Sequence, residues 1–225
     1  NESPSEFFQQ IKSSSLHLIG LSEATLIHNE GWWFSQVGKF IERADKTSRI
    51  LDLRYQVPPE QAAPARNSEA DASDADALEW SAILRSCSAW DAYKSLCGAQ
   101  VSPKLVAEFL LFNEDFPRSV RFCVSELNRA LRRISGVAEG RFCNSAEKLA
   151  GRLVAELQFS TVDEIFEQGL HFYMDQLQTK LNDIGGAMFD AYIFQKFNNL
   201  EDEIMVQQEE QQQQFRIRSE RTEVS

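Results

Sequence analysis

Glu42, Asp45 and Arg49 recur every three or four residues, which on a helix places them on one face together with Gly38. Two carboxylates beside a guanidinium could do acid–base work. A carboxylate would take a proton while the arginine held a substrate carboxylate or acyl phosphate. The same spacing has a plainer outcome. Glu42–Lys46 and Asp45–Arg49 are i,i+4 ion pairs in the favourable acid-first order, and such pairs also stitch a solvated helix face, for about 0.3–0.5 kcal/mol each. Arg43 lies at the edge of the apolar stripe on the other side. Glycine at 38 would let a ligand approach the backbone.

A second constellation is cationic. Arg118, Arg121, Arg129, Arg132 and Arg133 fall within about 120° of one another on a helical wheel. Val120, Cys123, Val124, Leu127, Leu131 and Ile134 cover the opposite side. A face made of arginine alone fits bidentate recognition of carboxylates or phosphates, so it is a candidate surface for an anion or an acidic partner. It also fits a solvated helix face. No aromatic platform or groove motif accompanies it, so nucleic acid is not the expected partner.

Glu167, His171 and Asp175 follow at i, i+4 and i+8. The residue three before His171 is Gln168, so the Glu-x-x-His motif of di-iron bundles is missing and no metal is expected. His17 and His28 have no nucleophile at a recognisable spacing. Cys87, Cys97, Cys123 and Cys143 are too far apart for a zinc or disulfide frame, and read as free thiols in a reducing cytoplasm. No phosphate-binding glycine loop, G-x-S-x-G or H-E-x-x-H occurs, and no cofactor is expected. The catalytic residues, if there are any, are not identified by the sequence.

The elements that would carry these groups are helices. Ser3-Pro4-Ser5-Glu6 starts one, with Ser3 as cap and Glu6 closing a capping box, over about 4–26. Trp33, Val37, Phe40, Ile41, Ala44, Ser48 and Leu51 make an apolar stripe on a second, about 31–55. The pattern predicts further helices over about 76–97, from Ser102-Pro103 to 112, from an Asp115 cap to 134, and from a Ser145 cap to 158. A long last helix opens at the Thr161–Glu164 capping box. Its seam of Phe166, Leu170, Tyr173, Leu177, Leu181, Ile184, Met188 and Tyr192 needs partner helices. Gly185-Gly186 would kink it or allow close packing. Trp32, Trp33, Trp80 and Trp90 are core candidates. The expected fold is an all-α bundle of six to seven helices over residues 1–199.

Composition agrees. The 225 residues include 16 Phe and 4 Trp but only 10 Gly and 6 Pro. The net charge of −11 is unevenly placed. Residues 56–79 carry −5 and residues 200–225 carry −4, which leaves −2 for the rest. Residues 58–75 read as a flexible acidic insertion, and 200–225 as a disordered Gln/Glu-rich tail. No apolar run could span a membrane and no signal peptide is visible, so a cytoplasmic location is expected and no membrane partner.

A series of motifs gives a resemblance. It runs from Gly20-Leu21-Ser22-Glu23-Ala24-Thr25 and Asn29-Glu30-Gly31-Trp32 through Gly38 to Asp52. It continues with Glu79-Trp80, Leu84-Arg85-Ser86, Val106 to Phe112, Phe116-Pro117-Arg118-Ser119 and Arg121-Phe122-Cys123. The series resembles the bacterial alpha-E domain family, all-helical and named for a Glu-Arg motif, here Glu42-Arg43. The likeness continues to Gly185. Relatives usually carry an earlier helical section with its own Glu-Arg motif, so this chain is expected to be a C-terminal portion of a longer protein. The resemblance implies association with circularly permuted ATP-grasp ligases and, in some relatives, transglutaminase-like peptidases. The expected function is a helical accessory or scaffold subunit of a peptide (amide) ligation or peptide-modification system. Two alternatives stand beside it: an enzyme of that system built on Glu42, Asp45 and Arg49, and a structural oligomerisation module using the last helix.

Overall fold

The computed structural model describes residues 3–53, 74–138 and 140–194. Among them there is no strand, and no helix is long and apolar enough to cross a membrane. The helices are α1 (Pro4–Thr25), α2 (Glu30–Asp52), α3 (Asp74–Ser86), α4 (Trp90–Cys97), α5 (Pro103–Phe112), α6 (Val120–Ser135), α7 (Ser145–Phe159), α8 (Val162–Gln168) and α9 (Leu170–Phe189). One π-helical turn, Asp190–Phe194, extends α9. The sequence expectation of an all-α fold with a long C-terminal helix is met. The acidic segment 58–75 lies outside the described residues, except Asp74 and Ala75 at the start of α3, as does the tail 200–225.

Four long helices form a ring: α2 packs on α6 and α9, and α7 packs on the same two. Side-chain pairs fix the directions. Phe40 meets Phe122 and Arg43 reaches Pro117, so α2 and α6 run antiparallel. Phe34 meets Tyr192 while Asp52 bonds His171, so α2 and α9 are antiparallel too. Asn144–Tyr192 and Glu156–Lys180 do the same for α7 and α9. The apolar stripe of α2 is spent inside this ring: Val37, Ala44 and Leu51 are fully enclosed. So is the seam of α9, whose Leu170, Tyr173, Leu177, Leu181 and Ile184 are all buried. Gly185 faces Ile41, where an added Cβ would meet Cδ1 at an ordinary contact distance of 3.7 Å, and Gly186 has open space, so neither glycine is required for close packing.

The short helices form a second layer, with α5 at its centre touching α2, α3, α4, α6, α7 and α8. Trp80 and Tyr93 are buried there, and the Tyr93 hydroxyl donates to the Gln100 carbonyl at 2.7 Å. Trp32 is buried as well, while Trp33 and Trp90 are half-buried against the core.

Several expected boundaries moved. The helix expected over 76–97 is two, broken at Cys87–Ala89, where Ser88 takes a φ of 52°. The last helix does not run unbroken from Thr161. Gly169, at a φ of 99°, ends α8 and turns the chain into α9. Glu167 and His171 therefore sit on different helices. Asp115 does not cap α6. Asn113 Oδ1 instead accepts from the Asp115 and Phe116 amides, and Ser119 is the cap. Asn144 caps α7 in place of Ser145. The Ser3–Glu6 and Thr161–Glu164 capping boxes are both formed.

Candidate functional site

The Glu42-Arg43 step lies halfway along α2, and its two side chains go separate ways. Arg43 is half-buried and crosses to the loop before α6, where Nη1 donates to the Pro117 carbonyl at 2.9 Å. One turn on, the buried Thr47 hydroxyl donates to the next carbonyl, that of Arg118, at 2.8 Å. The loop is held from its own side too. Ser119 Oγ donates to the Asn113 carbonyl, and the Cys123 thiol lies 3.5 Å from the Pro117 carbonyl. Two α2 side chains thus clamp a hydrogen-bonded loop whose outward residue is Arg118.

Between α2 and this loop runs an open groove of about 350 Å³, lined by Gly38, Lys39, Glu42, Arg43, Lys46, Thr47, Ile50, Cys87 and Arg118. Four cations and one carboxylate give it a positive balance. Lys39 Nζ is bound to Glu23 at 2.7 Å, and Lys46 Nζ to Glu42 at 3.3 Å with both side chains mostly exposed. Among the described residues Arg118 forms no ion pair, and Arg43 forms none either, holding the Pro117 carbonyl and standing 5.5 Å from the Phe40 ring centroid. Burial pulls the Arg43 guanidinium below its ordinary value, and the charge of Arg118 pulls in the same direction. An added anion would relieve that repulsion and meet unused N–H donors. The thiols beside the groove do not supply a nucleophile. Burial pushes Cys87 up to about 11 and Cys123 up to about 12, so both stay protonated at neutral pH.

Asp45 and Arg49 do not line the groove. Arg49 Nε bonds Asp45 Oδ2 at 2.7 Å, the i,i+4 pair that the spacing predicts. Asp45 Oδ1 is enclosed without a hydrogen-bond partner, as is Nε2 of Gln178 on α9, the helix packed against α2. The arginine series is divided among several tasks. Arg118 turns into the groove. Arg121 pairs with Glu114 and Arg129 with Glu126. Arg133 stands 5.8 Å from the Trp33 ring centroid, and Arg132 is half-buried in the last turn of α6.

Two polar clusters went unseen in the sequence. His171 Nδ1 lies 2.6 Å from Oδ1 of the buried Asp52, which raises the His171 pKa through that hydrogen bond and the Asp52 charge. Glu147 is buried and accepts from the Cys143 amide at 2.9 Å and the Cys143 thiol at 3.1 Å, with Asn144 Nδ2 and the Tyr192 hydroxyl at 3.3 and 3.4 Å. That cluster ties the start of α7 to the end of α9, beside a cavity of about 510 Å³. Among the described residues no three His, Cys, Asp or Glu side chains gather as a metal site. Only the cap pattern at Asn144 and Glu147 was a local signal for any of this. Cys143 and Glu147 are four residues apart, but the Asp52–His171 and Tyr192–Glu147 partners are 45 or more residues apart in the chain.

No curated protein and no solved structure matches the chain. A family does: Alpha-E, described as a predicted alpha-helical domain with a conserved ER motif, matches residues 1–193. Within that span the step Glu-Arg occurs once, at Glu42-Arg43, the residues that open the groove. The chain belongs to the Alpha-E family.

Proposed function

We propose that this domain is a helical accessory subunit of an ATP-grasp-associated peptide (amide) ligation or peptide-modification system. In this reading the Glu42–Arg43 groove is the contact for the ligase or its carboxylate-bearing substrate. One observation carries it: Arg43 and Arg118 both line an open groove, and among the described residues neither forms an ion pair with a carboxylate. ATP-grasp chemistry works on carboxylates and acyl phosphates, the anions that arginine forks hold well. The association with ATP-grasp and transglutaminase-like proteins comes from the family resemblance.

An enzyme built on Glu42, Asp45 and Arg49 has less behind it. Asp45 and Arg49 pair with each other outside the groove, and Glu42 pairs with Lys46. An oligomerisation role for α9 has less still, because its apolar seam is used inside the subunit.

Co-purification with an ATP-grasp ligase from the same organism tests the proposal. A complex should form, weaken at least tenfold in Arg118→Glu, and loosen as salt rises. Absence of a complex at any salt concentration sinks it. If Glu42→Gln instead abolishes product formation with binding intact, the enzyme reading takes its place.

A further inference from the structure

Successive turns of α2 bring different chemistry to the groove beside the Pro117–Arg118 loop. Lys39, Arg43 and Lys46 supply cations, and Ile50 closes the run with an apolar side chain. Thr47, whose hydroxyl holds the Arg118 carbonyl at 2.8 Å, marks the level at which Arg118 joins the groove. Ile50 follows three residues on, about 4.5 Å along the helix axis. Cys87 enters from the break between α3 and α4. Its thiol stays protonated, so it acts as a small apolar group. The charge of Arg118 is felt at Cys87 as well as at Arg43. A pair of guanidinium groups therefore stands next to an apolar surface about one side chain long.

The arginines are the cations open to a ligand. Lys39 is paired with Glu23 and Lys46 with Glu42. Arg43 donates one N–H to the Pro117 carbonyl, and a guanidinium has five. Such forks hold a planar carboxylate bidentately. The groove, about 350 Å³, is near the lower end of the roughly 300–1,000 Å³ of small-ligand clefts, which leaves room for a head group and one side chain. A carboxylate with an apolar branch on the adjacent carbon meets both halves of this lining, and that is the end of a peptide chain. An aspartate or glutamate side chain brings no such branch to Ile50 and Cys87, and neither does phosphate. A free amino acid would carry its ammonium into a groove of four cations. No aromatic ring is among the described lining residues, so a nucleotide base finds nothing to stack on.

We infer that the groove takes the C-terminal residue of a peptide, with its free carboxylate between Arg43 and Arg118 and an aliphatic side chain on Ile50 and Cys87. This rests on the groove being the contact proposed above, and it names the peptide substrate as its occupant.

The test is nitrogen-15 NMR titration of the full chain with no ligase present. The probes are N-acetyl-Ala-Leu as the free acid, the same peptide as its C-terminal amide, N-acetyl-Ala-Gly as the free acid, and inorganic phosphate. The leucine acid should shift the backbone amides of Thr47, Ile50 and Arg118 and bind about tenfold tighter than its amide or phosphate. Arg118→Gln should remove that preference for acid over amide. The Arg118 side chain is exposed and holds no partner among the described residues, so circular dichroism and melting temperature should not change. Ile50→Ala should erase the preference for leucine over glycine. Equal affinity for acid and amide overturns the inference, as does phosphate binding as tightly as the leucine acid, or shifts that map away from the groove. A ligase complex that weakens in Arg118→Glu while no peptide binds sinks this inference and leaves the accessory reading standing. Peptide binding without any ligase complex does the reverse.

Discussion

Arg43 and Glu42 are neighbours in sequence with opposite surroundings, and that separates their roles. Arg43 reaches across to a carbonyl on another element, whereas the Glu42 side chain is 65% exposed and paired with Lys46 one turn along the same helix. A charge-assisted hydrogen bond of this kind is worth about 1.5–3 kcal/mol, less whatever Arg118 repulsion is relieved on its removal. Arg43→Ala should therefore cost about 1–2 kcal/mol in urea unfolding. Thr47→Val should cost about 1 kcal/mol, since it leaves the Arg118 carbonyl without its donor. Glu42→Gln should stay within about 0.5 kcal/mol. Equal losses at 42 and 43 would mean that the pair acts as one structural unit. The dipeptide was legible in the sequence, but the division of labour inside it was not, because the partner of Arg43 lies 74 residues away.

At the scale of elements, local chemistry explains most starts and one important stop. Ser3–Glu6, Ser102–Pro103 and Thr161–Glu164 can be read directly, since a cap and its target amide are three residues apart. The breaks at Ser88 and Gly169 could not be read that way. Apolar residues keep helical spacing across both, through Cys87 and Trp90 on one side and Phe166 and Leu170 on the other. Periodicity reports which face is buried, and a face can stay in phase across a break. Gly169 holds a φ of 99° with open space where a Cβ would be, so any cost of Gly169→Ala comes from the backbone alone. That substitution should destabilise by about 1–3 kcal/mol, measured by thermal or urea unfolding. Gly38→Ala is the opposite case. Position 38 is helical, exposed and unobstructed, so alanine should stabilise by about 0.5–1 kcal/mol. If it also weakens binding to the groove, a ligand approaches the α2 backbone there.

For the whole molecule, the His171–Asp52 bond ties the last residue of α2 to the first turn of α9, two helices of the ring, so it bears on global stability. Its histidine pKa is raised by the Asp52 hydrogen bond and charge. A raised histidine pKa adds stability that is fully present below about 6.5, the unfolded value, and is lost as pH rises through the folded value. The melting-temperature gap between wild type and His171→Ala should thus be widest in mild acid and shrink steadily toward pH 9. A gap that widens with pH would show that the pair does not act as an ion pair.

The fold class, most of the helices, the Glu-Arg step and the uneven charge are legible in the order of residues alone. All of these follow from side-chain type and spacing within a few turns of one chain segment. That Arg43 and Arg118 share a groove, that Asp45 and Arg49 stand outside it, and that no residue of α1 is buried came from the packing of the helices. Helical periodicity fixes which face of a helix is apolar. Which helix covers that face depends on how the ring of four closes, and the packing of distant segments sets that.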